Sequence, residues 1–304
     1  LDISNILGGK FLKIIVGVIF IALFSFILFT FLTDFANLLK MIYYQNSPKP
    51  FILLFFIIGI LVSNLIGFKS IIRMISFLFP FVLLSIFTAF IGTIDNFSID
   101  KITPVLGYNY QTTFINGLLN IFSFSFISFY YFLQPLLKEP TDFKKISYIS
   151  FFISFGLLFI TVCSILTLLP LASTGITINP LYLLSRNVSF SDFLQRLDGI
   201  FVLFWILSLL CYLSSLVFFT NLCFSKIVNI SDNKMFTYIT CMLLFGFSLL
   251  PFDISTITFL ETSILKYMTT GIVFIMSPII LILAMLKEKF KVRKGVAKNA
   301  IIKN

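Results

Sequence analysis

The sequence predicts an all-α polytopic membrane protein. Three observations carry this: 59% hydrophobic against 11% charged residues, a mean hydropathy of +1.08, and long apolar runs recurring along the 304 residues. Soluble chains carry about 25% charged residues. Water cannot solvate a surface of the present composition, so the bilayer is the natural solvent, and disordered, fibrous and nucleic-acid-binding classes drop out together. The net charge of +10 then reads as a topology signal. The chain has no His, and Cys163, Cys211, Cys223 and Cys241 lie inside apolar runs without paired spacing, which disfavours metal sites, thiol catalysis and a disulfide framework. No cofactor is implied. The 42 Phe accompany an excess of Ile, Lys and Asn, as an AT-rich genome produces, and carry no ligand argument.

A helix crosses the hydrocarbon with about 20 apolar residues, and eight runs qualify, at about 12–40, 51–67, 71–93, 113–137, 146–169, 197–223, 236–250 and 263–286. The first is long enough to tilt or protrude, and Asp34, Lys40 and Lys49 mark its outer end and the loop beyond. The third carries Arg73 close to its start, where the side chain can snorkel, and Pro80, which should kink it; Lys266 and Pro278 play the same two parts in the eighth. The stretch from Pro170 to Gln195 is long, and Pro180 to Arg186 within it is expected to form a short helix on the surface, as a lid or docking face. Residues 287–304 form a basic tail, a topology anchor able to touch anionic membrane lipid at about 1 kcal/mol per charge. Residues 1–9 begin with Leu and lack the charged start and cleavage site of a signal peptide, so the start is expected to be a break in a longer chain.

With eight spans both termini share a side. One face collects Lys10, Lys13, Lys69, Arg73, Lys138, Lys144, Lys145, Lys226, Lys234 and seven tail residues, 16 of 22 basic side chains. The other keeps Lys40, Lys49, Lys101, Arg186, Arg196 and Lys266, together with Asp95, Asp100, Asp192, Asp198, Asp253 and Glu261. Basic residues accumulate in cytoplasmic loops, so both termini are expected to be cytoplasmic.

Polar groups inside a span are costly unless they face a partner or a cavity. In the fourth run Asn116, Asn120 and Ser123 form one stripe at helical spacing, and Ser123-Phe124-Ser125-Phe126-Ile127-Ser128 then alternates polar and apolar in mid-span. Two readings stay open: backbone that stops being helical and lines a cavity, or an intact helix whose serines bond their own i−4 carbonyls. In the sixth run Asp198, Trp205 and Tyr212 recur every seven residues, with Ser208 and Ser215 beside them. That face lines a site or packs with hydrogen-bonded aromatic tips. Asp198 sits near the outer end, with Arg186 a better-placed partner than Arg196, and the Arg196–Asp198 pair is assigned a structural or gating role. No catalytic constellation emerges: acidic residues keep to span ends, and there is no phosphate loop.

The order of motifs resembles a known family. Asn179-Pro180-Leu181-Tyr182, then Phe193-Leu194-Gln195-Arg196-Leu197-Asp198 and Phe201-Val202-Leu203-Phe204-Trp205-Ile206, are similar to the B subunit of spore germinant receptors, the spore germination permease family, in which an Arg-x-Asp pair opens a helix bearing a Trp. Arg73 to Pro80, Ile102-Thr103-Pro104-Val105-Leu106-Gly107 and Gln134-Pro135-Leu136-Leu137-Lys138 support it in the family's order. The resemblance implies an inverted-repeat permease of ten helices, like amino acid/polyamine/organocation permeases, of which this chain lacks the first two. The fourth run then matches the family's sixth helix, a broken one, and the sixth run its eighth. Where family members often carry a small residue followed by Glu in that sixth helix, this chain has Ser125, Ile127 and Ser128, so carboxylate coupling there is not implied.

The resemblance implies a membrane subunit of a nutrient-germinant receptor in the spore inner membrane. It would bind a small nutrient of the amino-acid class and signal to germinant receptor A and C subunits. Ligand contacts are expected from Asn120, Ser123, Ser125 and Ser128 on the fourth run and from Trp205, Ser208 and Tyr212 on the sixth, with a half-helix terminus meeting the ligand carboxylate. The alternative is an amino-acid permease that moves its substrate. A lipid-linked saccharide flippase or polymerase fits less well, because such proteins need charged residues in their cavities and this chain has almost none at mid-span.

Overall fold

An unpaired main-chain group is costly in hydrocarbon, so apolar runs of this length close their hydrogen bonds internally as helices. The computed structural model describes residues 1–94, 97–103, 109–137, 142–168, 180–186, 198–230 and 234–287. Among them lie the helices α1 (Asp2–Ile42), α2 (Lys49–Ile66), α3 (Phe68–Ile91), α4 (Tyr110–Leu119), α5 (Ile127–Leu133), α6 (Phe143–Leu168), α7 (Pro180–Arg186), α8 (Asp198–Val228), α9 (Lys234–Ser248) and α10 (Ile254–Lys287), with short 3₁₀ turns between and no strand. The protein is an all-α polytopic membrane protein. Six helices, α1, α2, α3, α6, α8 and α10, are long and apolar enough to cross a bilayer, and the bent pair formed by α4 and α5 would make a seventh. α9, with 15 residues, is apolar but shorter than a perpendicular crossing needs.

Breaks occur where the residues demand them. Gly9 holds φ +69°, a backbone conformation side chains rarely tolerate, and divides α1 after a short first segment. Gly67, at φ +112°, turns the chain between α2 and α3. Asn229 closes α8 with φ +59°, while the Ile230 amide donates back to the Ser225 carbonyl, a left-handed C-terminal cap. α3 runs through Pro80 as one helix. Pro278 follows directly on a π stretch, Thr270–Met276, whose wider turn accommodates the ring against the preceding carbonyls.

The chain divides into two units. The first comprises Leu1–Phe68, Leu119–Phe129 and Leu213–Asn304. Its core lies along α1, where Leu23, Phe24, Ile27, Leu28 and Leu32 are almost wholly buried, with Phe56 of α2 and Phe219 of α8. Ring contacts tie these elements together: Phe35 meets Phe56 edge-on, and Phe68 stacks on Phe218 with centroids 4.2 Å apart. Polar links also cross between its helices. Ser63 Oγ and Ser214 Oγ are 2.8 Å apart, and Asn64 Nδ2 donates to the Ser214 carbonyl. Asn221, 1% exposed, uses both ends of its amide, donating to Thr237 Oγ1 and accepting from Thr240 Oγ1, each at 2.9 Å.

The second unit comprises Lys69–Leu118 and Tyr130–Tyr212. Here Phe81 of α3 stacks on Phe204 of α8, and Tyr130 Oη shares a hydrogen bond with Ser150 Oγ of α6. Lys101 Nζ donates to the Leu168 carbonyl, closing the end of α6. The short helix expected at Pro180 to Arg186 is present as α7, but Ser185 is buried and the helix packs against α6, so it does not lie free on the surface.

Candidate functional site

The fourth apolar run is broken. α4 ends at Leu119; Asn120–Phe124 is a 3₁₀ stretch, Ser125 and Phe126 form a turn, and α5 starts at Ile127 with its axis bent by 41° from that of the preceding segment. The bonding changes accordingly. The amides of Ser125, Ser128 and Phe129 donate three residues back, to Phe122, Ser125 and Phe126, at 2.9 to 3.0 Å. A ladder that changes from four-residue to three-residue spacing and then turns leaves main-chain groups to find other partners, which in a membrane means a neighbouring helix, a water or a ligand.

The sequence leaves this local choice open because nothing in it except alternating Ser and Phe favours a break. Serine is a poor helix former when its hydroxyl can bond nearby backbone instead, and two large Phe on alternate positions need packing partners on different sides. Phe129 supplies the anchor on the C-terminal side: it stacks on Phe219 with centroids 4.8 Å apart and also touches Phe24.

The expected residues are placed unequally around the break. Asn120 and Ser123 are exposed, Ser125 is half-buried, and Ser128, at the start of α5, is 2% exposed. All four belong to the first unit. Trp205, Ser208 and Tyr212 belong to the second and are half-buried; Ser208 Oγ donates to its own-helix Phe204 carbonyl at 2.7 Å, and Trp205 rests against Phe201. Arg196 lies outside the described residues, as does the side chain of Asp198, whose backbone opens α8. Arg186 is exposed at the end of α7.

The structure adds one residue that the sequence reading missed. Lys266–Thr269 of α10 packs against Asn120–Phe124 and sits between two π stretches, Leu260–Leu265 and Thr270–Met276. Thr269 is fully buried there, and its Oγ1 has no hydrogen-bond partner among the described residues. A threonine in an apolar helix ordinarily bonds the carbonyl a turn behind. Nothing in the sequence flags one that does not. π segments of this kind frequently mark functional sites, so two irregular backbone stretches and an unsatisfied buried hydroxyl meet at this point. Among the described residues no three His, Cys, Asp or Glu gather as a metal would need, and the four cysteines are free.

A break inside an apolar run is the feature by which permease-type membrane proteins open backbone to a solute. Residues 1–257 match the family model described as spore germination protein, the spore permease family, and the chain belongs to that family. No curated protein and no solved structure matches it. Membership gives the chain a role in germination or nutrient transport, and the family is of a receptor or permease type rather than an enzyme class.

Proposed function

We propose that the protein is the membrane subunit of a spore nutrient-germinant receptor, binding a small nutrient of the amino-acid class at the opened stretch around Asn120–Ser128 and signalling to A and C subunits in the spore inner membrane. The break in the fourth run supports this reading most directly, because opened backbone beside small hydroxyl side chains supplies both donors and acceptors at low dielectric. Ser125, Ser128 and Thr269 furnish hydroxyls, and Asn120 and Ser123 stand at the approach. A ligand acts by holding one helix arrangement better than another, and shifts the population by that differential affinity. Trp205, Ser208 and Tyr212 are assigned as further ligand contacts, and Arg196 with Asp198 to a structural or gating role, from the polar and aromatic face of the sixth run and the resemblance. The bundle is read as eight crossings, about 12–40, 51–67, 71–93, 113–137, 146–169, 197–223, 236–250 and 263–286, with both termini and the basic tail cytoplasmic.

The test replaces Ser128 with Leu in the complete receptor and measures nutrient-triggered germination. The isobutyl group fills the opening, and the half-maximal nutrient concentration should rise by about tenfold or more, the equivalent of one lost charge-assisted hydrogen bond. Ser128→Ala should give a smaller shift. An unchanged dose response in both variants removes the break from the binding site. The permease reading uses the same residues, and uptake of labelled amino acid into vesicles holding this subunit alone separates it: net flux without A and C subunits would replace signalling by transport.

A further inference from the structure

A second polar feature lies away from the break, in the first unit, where the end of α1 meets the start of α10. A depression of about 660 Å³ opens there, lined by Asn37, Lys40, Met41 and Gln45 on one side and by Phe252 to Ser255 on the other. Small-molecule sites commonly span about 300 to 1,000 Å³. Asn37 Nδ2 donates to the Phe252 carbonyl and ties the two walls together. By the distribution of basic residues this is the external end of both helices.

Its charges are uncommitted. Asp253 stands at the N-cap of α10, where an aspartate usually accepts a bond from the first turn, yet its side chain makes no capping bond. Lys40 lines the same depression, but no ion pair within 4.0 Å joins it to Asp253. Among the described residues neither side chain has a hydrogen-bond or salt-bridge partner, and neither does the Ser255 hydroxyl. Lys49 stands near enough for the charges of both Lys40 and Asp253 to act on it. The depression thus presents a carboxylate and an ammonium that are not paired with each other, together with the apolar side chains of Met41, Phe252 and Ile254.

We infer that this depression is an outer binding site for a free α-amino acid with an apolar side chain, its carboxylate on Lys40, its ammonium on Asp253 and its side chain against Met41, Phe252 and Ile254. A zwitterion satisfies Lys40 and Asp253 at once, whereas a purely anionic solute meets Asp253 as a like charge and a purely cationic one meets Lys40 and Lys49 as like charges. The site collects ligand ahead of the opened stretch, and so rests on the amino-acid reading given above for that stretch.

The experiment uses the complete chain in nanodiscs of phosphatidylglycerol alone, so that no zwitterionic lipid competes. An equimolar mixture of the proteinogenic α-amino acids is the probe, read by saturation-transfer NMR, and the binders are then titrated singly. Lys40→Met and Asp253→Asn should each weaken a binder by about tenfold, and the exchanged pair Lys40→Asp with Asp253→Lys should restore most of it. The binder's amide, lacking the carboxylate, should be insensitive to Lys40→Met, and its des-amino analogue insensitive to Asp253→Asn. Binding unchanged in both single variants but lost in Ser128→Leu overturns the outer site and leaves the break standing. Binding lost in the single variants and kept in Ser128→Leu supports the outer site and removes the break. No amino acid bound to the unaltered protein overturns the outer site as stated.

Discussion

α1 and α6 are nearly alike in composition and differ in everything around them. Their most apolar windows have mean hydropathies of 2.9 and 2.4, but α1 buries 44% of that window inside the protein and α6 only 6%. Thr30 of α1 returns its hydroxyl to carbonyls of its own helix, as hydroxyls of α6 do, so the crossing hydroxyl bonds lie on other elements. In the first unit hydroxyls and amides reach across to neighbouring helices, at Ser63–Ser214, Asn64–Ser214 and Asn221 with Thr237 and Thr240. Along α6, Thr161, Ser164 and Thr167 return their hydroxyls to carbonyls of their own helix, while Ser150 shares one bond with Tyr130 of α5. A bond that returns to its own helix satisfies the hydroxyl without fixing what lies beside it, whereas a bond that crosses fixes register. Hydropathy therefore places both helices in the bilayer, and polar contacts fix register where they cross between helices, at α2–α8, α8–α9 and α5–α6.

The largest expected effect falls on the strongest lock. Asn221→Leu removes two interhelical bonds from a site that is 1% exposed, and bonds of this kind in membranes are worth about 0.6 kcal/mol on average with a maximum near 1.7. The variant should lose about 1 to 2 kcal/mol of stability, measured as a lowered thermal midpoint in detergent. The upper end applies if Thr240 keeps its rotamer and stays unsatisfied; the lower end applies if it turns to the carbonyl four residues behind. No loss at all would mean that α8 and α9 are held by shape alone.

Ser214→Ala tests the weaker lock and should cost about 0.6 kcal/mol in the same assay. The Ser63 hydroxyl has one proton and a second acceptor in the Ile60 carbonyl at 2.9 Å, so it is not stranded when Ser214 Oγ disappears. The Asn64 bond goes to the main chain of Ser214 and survives the substitution. A loss as large as that of Asn221→Leu would show that the α2–α8 contact depends on the hydroxyl pair in a way its geometry does not suggest.

How far the sequence discloses this follows from the range of each force. Membrane residence and helical class are written in composition, because burying main chain in hydrocarbon leaves helices as the economical solution. The polar interruption from Asn120 to Ser128 is visible as a pattern, but its two outcomes, opened or intact, depend on α10 and on the Phe219 ring that anchors Phe129, both far away in the chain. Thr269 carries no local signal, since only its neighbours determine that its hydroxyl goes unmet. Asp253 is a similar case: at an N-cap it reads as an ordinary helix start, and its availability emerges only when α1 brings Lys40 alongside.

The smallest effect is the sharpest check on the comparison. Thr161 Oγ1 donates to the Leu157 carbonyl at 2.8 Å within α6 and bonds no neighbouring helix among the described residues. Replacing it with Val keeps the branched shape, removes a hydroxyl that competes with the helix ladder, and leaves the carbonyl with its own i+4 amide. Back-bonding of this kind destabilises helices slightly, so Thr161→Val should leave the thermal midpoint unchanged or raise it by a fraction of a degree. A loss comparable to Ser214→Ala would mean that the α6 hydroxyl has a partner across the helix surface, in another chain, and that the poorly buried face of α6 is a contact face.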